Sequence, residues 1–184
     1  ALVPVFPDRI VAGGPTTSGL LLFSGRKENG EVFTLYEVHG GGEGASLNRD
    51  GTGGVRVHMS NVMNTPIEAL EMAYPLRVER YSLREGSGGM GRRRGGEGVV
   101  RAYRVLVDSA MVTTMVEREK IPPWGVLGGE DGKPYRITLI SNEKSIPVGG
   151  KETLNLLRDD LIVIETAGGG GYGTAHGEKT VSGE

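Results

Sequence analysis

The sequence predicts a mainly β protein: an antiparallel β-sandwich or barrel-like domain with one or two short helices and long Gly-rich loops. Three observations carry this expectation. Apolar and polar residues alternate over short runs, the pattern of half-buried strands. Glycine clusters separate those runs. A single stretch carries the start signals of a helix.

The elements follow in chain order. Residues 1–30 are rich in Pro and Gly, and hold a short apolar run, Gly19-Leu20-Leu21-Leu22-Phe23, readable as a short helix or a strand. Glu31–His39 is the first clear strand, with Val32, Thr34, Tyr36 and Val38 alternating against Phe33, Leu35 and Glu37. Residues 40–54 then place seven glycines in fifteen positions. A structureless stretch that long is usually functional or disordered.

The helix is expected from Thr65. Thr65-Pro66-Ile67-Glu68 fits a capping box, with Thr at N-cap, Pro at N1 and Glu at N3. Ile67, Leu70 and Tyr74 share one face, and Pro75 disfavours helical geometry at Tyr74, which limits the helix to two or three turns. Strands follow at Leu76–Arg84, Val99–Val107, Met111–Arg118, Tyr135–Ser141, Thr153–Leu157 and Leu161–Thr166. In the first of these the apolar face switches between Val78 and Tyr81, the mark of a bulge. Arg158-Asp159-Asp160 has the composition of a tight turn. The expected organisation is a loop-rich segment over 1–60, with one or two strands, and a β-rich domain over 61–184.

Composition narrows the function classes. Glycine supplies 32 of 184 residues, against a usual share of ~7%. No Gly-X-Y period accompanies it, so a collagen helix is excluded, and the clusters read as left-handed or crowded backbone positions. The formal charge of −2 leaves no overall electrostatic footprint for nucleic acid or an anionic membrane. No apolar run approaches the ~18 residues of a membrane-spanning helix. Cysteine is absent, which excludes disulfides and thiolate metal sites and makes a reducing, cytoplasmic compartment the expectation. The opening Ala1-Leu2-Val3-Pro4 has no basic segment and no Met, so we expect a fragment or processed product rather than a signal peptide.

Two segments match G-x-G-x-x-G: Gly86-Ser87-Gly88-Gly89-Met90-Gly91 and Gly168-Gly169-Gly170-Gly171-Tyr172-Gly173. A dinucleotide fold needs a helix and then a second strand after such a turn; Arg92-Arg93-Arg94-Gly95-Gly96 does not open a helix after the first, and too few residues follow the second. No P-loop pattern occurs, so any ATP must be bound elsewhere. Arg92-Arg93-Arg94 between glycine pairs is either an anion-binding turn or a solvated one. The lone Trp124, after Pro122-Pro123, either walls a pocket, anchors a subunit contact, or caps a core edge. Of the three histidines, His39 ends a strand and His176 lies in the tail. His58 has the best functional setting, beside Ser60, Asn61 and Asn64. No histidine pair has metal-ligand spacing, and no Gly-x-Ser-x-Gly elbow or Cys nucleophile is present.

These blocks, taken in order, resemble one family. They are Tyr36-Glu37-Val38-His39-Gly40-Gly41-Gly42, Val57-His58-Met59-Ser60-Asn61, Asn64-Thr65-Pro66-Ile67-Glu68 and Tyr74 through Tyr81. Ser87 through Gly91 with Arg94-Gly95-Gly96, Pro122-Pro123-Trp124-Gly125, Gly149-Gly150-Lys151 and Glu165 through Gly173 complete the series. Together they resemble the hydantoinase B/5-oxoprolinase family, collinearly over nearly the whole chain. The resemblance implies the C-terminal part of a B-type subunit of an ATP-dependent enzyme that opens cyclic amides such as 5-oxoproline or N-substituted hydantoins. Related ketone carboxylases and a non-catalytic assembly module are the alternatives. It further implies a hydantoinase A-type partner that binds ATP and Mg2+, an N-terminal portion of the same B-type subunit, and a divalent metal held in that N-terminal region rather than here. The site residues expected on this basis are His58 and Arg94 for catalysis, with Asn61, Asn64, Gly95, Gly96 and Trp124 against the substrate. One departure stands out: Arg56 occupies the position where the family usually shows a second histidine, which weakens a metal role for this stretch.

Overall fold

A computed structural model describes residues 3, 5–16, 19–57 and 62–175. Its strands are β1 (Gly19–Arg26), β2 (Val32–His39), β3 (Leu76–Arg84), β4 (Gly98–Val105), β5 (Ser109–Met115), β6 (Arg136–Ser141), β7 (Lys144–Val148), β8 (Thr153–Leu157) and β9 (Leu161–Glu165), with one helix, α1 (Ile67–Ala73). They form two antiparallel sheets, one ordered β2-β1-β5-β8 and the other β3-β4-β9-β6-β7. Neither closes into a barrel, so the sandwich alternative is the one realised. No helix among the described residues is long and apolar enough to cross a membrane.

The period-two alternation decides which side of each strand is buried. On β2, Phe33, Leu35, Glu37 and His39 turn inward while Val32, Thr34 and Tyr36 face out. Leu21 and Phe23 of β1, Val112 of β5 and Leu156 of β8 complete the inner face of the first sheet. Tyr103 and Val105 of β4, Ile162 and Ile164 of β9, and Ile137 and Leu139 of β6 supply the other. The faces interdigitate, and the Phe23 and Tyr103 rings meet at 5.3 Å. β1 pairs with β5, so the first sheet runs straight across position 60.

The bulge expected in the third strand is present: the register with β4 shifts between Val78 and Arg80. The run at residues 19–23 is strand rather than helix. β7 was not expected, because an exposed edge strand containing Pro147 carries no alternation to read. The capping box does not form. Pro66, not Thr65, is the N-cap, in extended geometry and without a side-chain cap bond. The acidic side chain that does brace the helix is Glu71, which accepts the Val78 amide at 2.8 Å from the strand that follows. Tyr74 leaves the helix in extended conformation, as the following Pro75 requires.

Beside the sandwich lies a second kind of interior, built from backbone. The glycine-rich runs at 40–44, 86–96, 125–132 and 168–171 lie against one another and against residues 12–14, joined by amide–carbonyl bonds. Gly42 donates to Ala167, Gly96 to Glu43, Gly169 to Gly96, Gly170 to Gly13, and Gly13 to Trp124, all at 2.7–2.9 Å. A Cβ at Gly42 would lie 1.9 Å from the Gly96 carbonyl oxygen, one at Gly95 1.9 Å from that of Gly169, and one at Gly169 1.9 Å from that of Glu43. Glycine is required there by close approach rather than by left-handed geometry. The positive-φ glycines among the described residues are Gly30, Gly54, Gly86, Gly128 and Gly173, none of them in these contacts. Both halves of the composition reading hold for this region: crowding at Gly42, Gly95 and Gly169, and left-handed geometry at Gly86 and Gly128. A small apolar cluster of Ala12, Ala45, Val126 and Tyr172 seals the lattice, and the Tyr172 hydroxyl donates to the Pro7 carbonyl at 2.6 Å.

Candidate functional site

Most amides of the glycine turns are already engaged within the protein. In the 168–171 run, Gly168 donates to Lys133, Gly169 to Gly96, Gly170 to Gly13 and Gly171 to Glu130. In the other fingerprint the anion place is filled from within. The Glu97 carboxylate accepts the Ser87 amide at 2.6 Å, the Ser87 hydroxyl at 2.8 Å and the Gly88 amide at 3.1 Å. Burial opposes the charge, yet these bonds and the Arg94 guanidinium hold the Glu97 carboxyl below its ordinary value. The turn is an anion nest as its composition suggests, and its anion is a side chain of the same protein.

This arrangement fixes where several expected residues sit. Arg94 is exposed and paired with Glu97, and its amide donates to Asp50 at 3.0 Å. Gly95 and Gly96 are buried in the lattice, their amides given to Gly89 and Glu43. Trp124 is 45% exposed, with the Arg118 guanidinium 4.8 Å from its ring, and a cleft of about 630 Å³ lies along Arg118, Ile121 and Gly150. Asn64 accepts from Arg56 Nη2 at 2.8 Å and donates to the Tyr81 hydroxyl. His58 and Asn61 lie outside the described residues.

The residues brought together most closely are others. Inside the sandwich, at the end of β2, Arg101 donates from Nη1 to Glu37 Oε1 at 3.1 Å, and both side chains are almost wholly buried. The Arg101 guanidinium lies over the Tyr81 and Tyr103 rings, at 4.9 and 5.1 Å. His39 completes the group. Its Nδ1 lies 3.2 Å from the Gly19 carbonyl and its Nε2 2.7 Å from the Tyr103 hydroxyl. A carbonyl can only accept, so Nδ1 carries the proton and Nε2 accepts from Tyr103. Burial, helped by the nearby Arg101, lowers the His39 pKa to about 3, so the ring stays neutral. Burial raises the Tyr103 and Tyr135 pKa values well above their ordinary value, so both phenols keep their protons.

Arg56 connects this cluster to the surface. It donates from Nη2 to the Val38 carbonyl and to Asn64, and it lines a pocket of about 460 Å³ with Gly14, Glu43, Arg49 and Thr52. On the far wall Arg49 grips Glu43 with both terminal nitrogens, at 2.7 and 2.6 Å. Sequence reasoning missed the Glu37–Arg101 pair. Its signal was an arginine within the otherwise apolar β4 run Val99-Val100-Arg101-Ala102-Tyr103. The described residues hold no group of three or more His, Cys, Asp or Glu side chains placed for a metal ion, so no metal chemistry is assigned to them.

Comparison with known proteins gives these sites a context. The chain is 42% identical over 176 residues to a protein of Methanocaldococcus jannaschii, covering 96% of this chain and 30% of that protein. It is 40% identical to a 5-oxoprolinase of Dictyostelium discoideum, over 78% of this chain and 11% of the other. It is 32% identical to the B-type subunit of a putative D-/L-hydantoinase from a Pseudomonas species, over 94% and 29%. Among solved structures, an ATP-dependent caprolactamase from Pseudomonas jessenii superposes with a TM-score of 0.84 at 26% identity, covering 95% of this chain and 32% of that one. An acetone carboxylase shares the fold at a TM-score of 0.76 and 20% identity, over 92% and 27%. The chain thus spans about a third or less of these relatives. The family pattern described as Hydantoinase B/oxoprolinase runs through residues 1–175, across both the apolar sandwich and the glycine lattice. On that match, this chain belongs to the hydantoinase B/oxoprolinase family.

Proposed function

We propose that this chain is the C-terminal part of the B-type subunit of an ATP-dependent enzyme that opens cyclic amides, lactams or hydantoins. The observation that carries this reading is the superposition of 95% of the chain on the ATP-dependent caprolactamase at a TM-score of 0.84. A ring amide is a poor electrophile, and activation by ATP lowers the barrier to opening it. The glycine fingerprints are poorly suited to a nucleotide, because every amide of residues 168–173 and those of Ser87, Gly88 and Gly89 already have internal partners. We therefore assign ATP and Mg2+ to an A-type partner, and any divalent metal to the N-terminal portion of the B-type subunit. We place it in the cytoplasm, since a stretch of 184 residues without cysteine suits a reducing compartment. This chain's part is to wall and position, with His58 and Asn61 as the residues proposed to meet substrate, and Arg94 and Trp124 as the exposed groups nearest a partner or ligand.

The test is reconstitution. The full B-type polypeptide carrying this chain, mixed with its A-type partner, should open a lactam or hydantoin ring only with ATP, and the 184-residue chain alone should not. Ring opening by the chain alone would overturn the reading. Product formation that requires bicarbonate would replace it with a carboxylase. His58→Ala should reduce kcat by at least roughly 100-fold if the ring takes part in proton transfer. Unchanged turnover removes His58 from the site.

A further inference from the structure

We propose that the buried cluster around Arg101 is a binding site for one small planar anion, a carboxylate or bicarbonate, reached past Arg56. The first argument is charge. Two guanidinium groups, Arg101 and Arg56, face one carboxylate, Glu37. Their other neighbours bring no negative charge, since His39 is neutral and Tyr103 and Tyr135 keep their protons. The buried Arg101–Glu37 pair is neutral, and the extra positive charge, on half-buried Arg56 beside the pocket, favours the approach of an anion.

The second argument is geometry. Arg101 uses Nη1 for Glu37. Its Nε and Nη2 are buried and have no acceptor among the described residues. These two nitrogens form one edge of the guanidinium, the side-on fork whose two parallel N–H groups match the two oxygens of a carboxylate. The guanidinium lies against the Tyr81 and Tyr103 rings and is tied to Glu37 through Nη1, so the free edge has a fixed direction. Arg56 Nη1 is likewise buried without an acceptor among the described residues. The route in follows from Arg56 itself. It lines the 460 Å³ pocket, and its Nη2 donates to the Val38 carbonyl, on the strand that carries Glu37 and His39. Glu37 Oε2, also unpartnered among the described residues, accepts a proton donor carried by the ligand, such as the hydroxyl of bicarbonate.

This site does not depend on the ring-opening reading. Its anion is either free in solution or the carboxylate of a cyclic amide such as 5-oxoproline. The purified protein should be titrated with formate and with bicarbonate at constant ionic strength against chloride, followed by calorimetry and thermal unfolding. A saturable rise in Tm is expected, of roughly 5–10 °C at about 100-fold over Kd. No saturable response beyond chloride overturns the proposal. Arg101→Lys keeps the charge but lacks the side-on fork, and should weaken formate binding at least 10-fold. Should that variant not fold, the half-buried Arg56→Gln serves, with the same expected loss. Undiminished affinity in whichever variant folds overturns the site. Displacement of formate by 5-oxoproline but not by 2-pyrrolidinone, the same ring without its carboxylate, supports the site and identifies a carboxylated ring as the ligand. Displacement by neither ring supports it with the free anion as ligand.

Discussion

The sandwich and the glycine lattice solve the same packing problem in opposite ways. In the sandwich, side chains of two sheets fill the space between backbones, as where Phe23 meets Tyr103. At the tightest contacts of the lattice no side chain stands between the backbones. Carbonyl oxygens sit where Cβ atoms would be, at Gly42, Gly95 and Gly169 alike. A side-chain core relaxes by rotamer changes and partial collapse. A backbone lattice has nothing to rotate, because each wall is itself hydrogen-bonded. Adding one methyl group to the lattice should therefore harm the protein more than removing several from the sandwich.

The largest effect tests that inversion directly. Gly169→Ala brings a Cβ against the Glu43 carbonyl and the Gly44 amide nitrogen, backbone on each side. We expect a loss above roughly 4 kcal/mol, seen as insolubility or as a collapse of the denaturation midpoint. Leu156→Ala in the sandwich should cost about 2–4 kcal/mol and leave a folded protein. Equal tolerance of both changes would show that the lattice yields as a side-chain core does.

Acid sharpens the comparison, because among the described residues the sandwich and not the lattice buries a histidine. An unfolded histidine titrates near 6.5 and His39 in the fold near about 3. As pH falls the unfolded chain takes up the proton first. Stability from neutral His39 is therefore complete above about pH 6.5 and is lost progressively toward pH 3, with a ceiling on the order of 4 kcal/mol. Arg49 holds the Glu43 carboxyl below 4.5, and Glu97 is lowered as well, so those carboxylates add their losses below that value. Denaturation midpoints between pH 6.5 and 4.5 isolate the histidine, and His39→Gln should flatten the profile there. A flat wild-type profile would mean that His39 charges within the fold.

The smallest effect marks where glycine matters for conformation alone. Gly30, in the β1–β2 turn at φ +84°, has open space around its Cβ position. Gly30→Ala should cost about 1–2 kcal/mol from left-handed geometry, without the failure to fold expected at Gly169.

The strands were legible because alternation is a local property of the chain. Val78 through Tyr81 even disclosed a bulge, since a change of face within one run has few other causes. The capping box failed at Thr65 because Pro66 is itself the N-cap in extended geometry, and the acidic residue engaged was Glu71, through β3. The expected site residues were read from neighbours in sequence. Gly95, Gly96 and Asn64 turned out to spend their polar groups within the protein: on Gly89 and Glu43 for the glycines, on Tyr81 and Arg56 for the asparagine.

Composition and period alone determined that this chain is β-rich, antiparallel and crowded with glycine, because burial and backbone approach leave their marks residue by residue. Tertiary structure alone decided that Glu97 fills the nest at Gly88, and that Arg101 meets Glu37 across the sandwich with one edge of its guanidinium left over among the described residues. Those pairings join positions 9 and 64 residues apart. Only the register of the sheets and the course of the loops sets such distances, and a linear pattern carries no record of them.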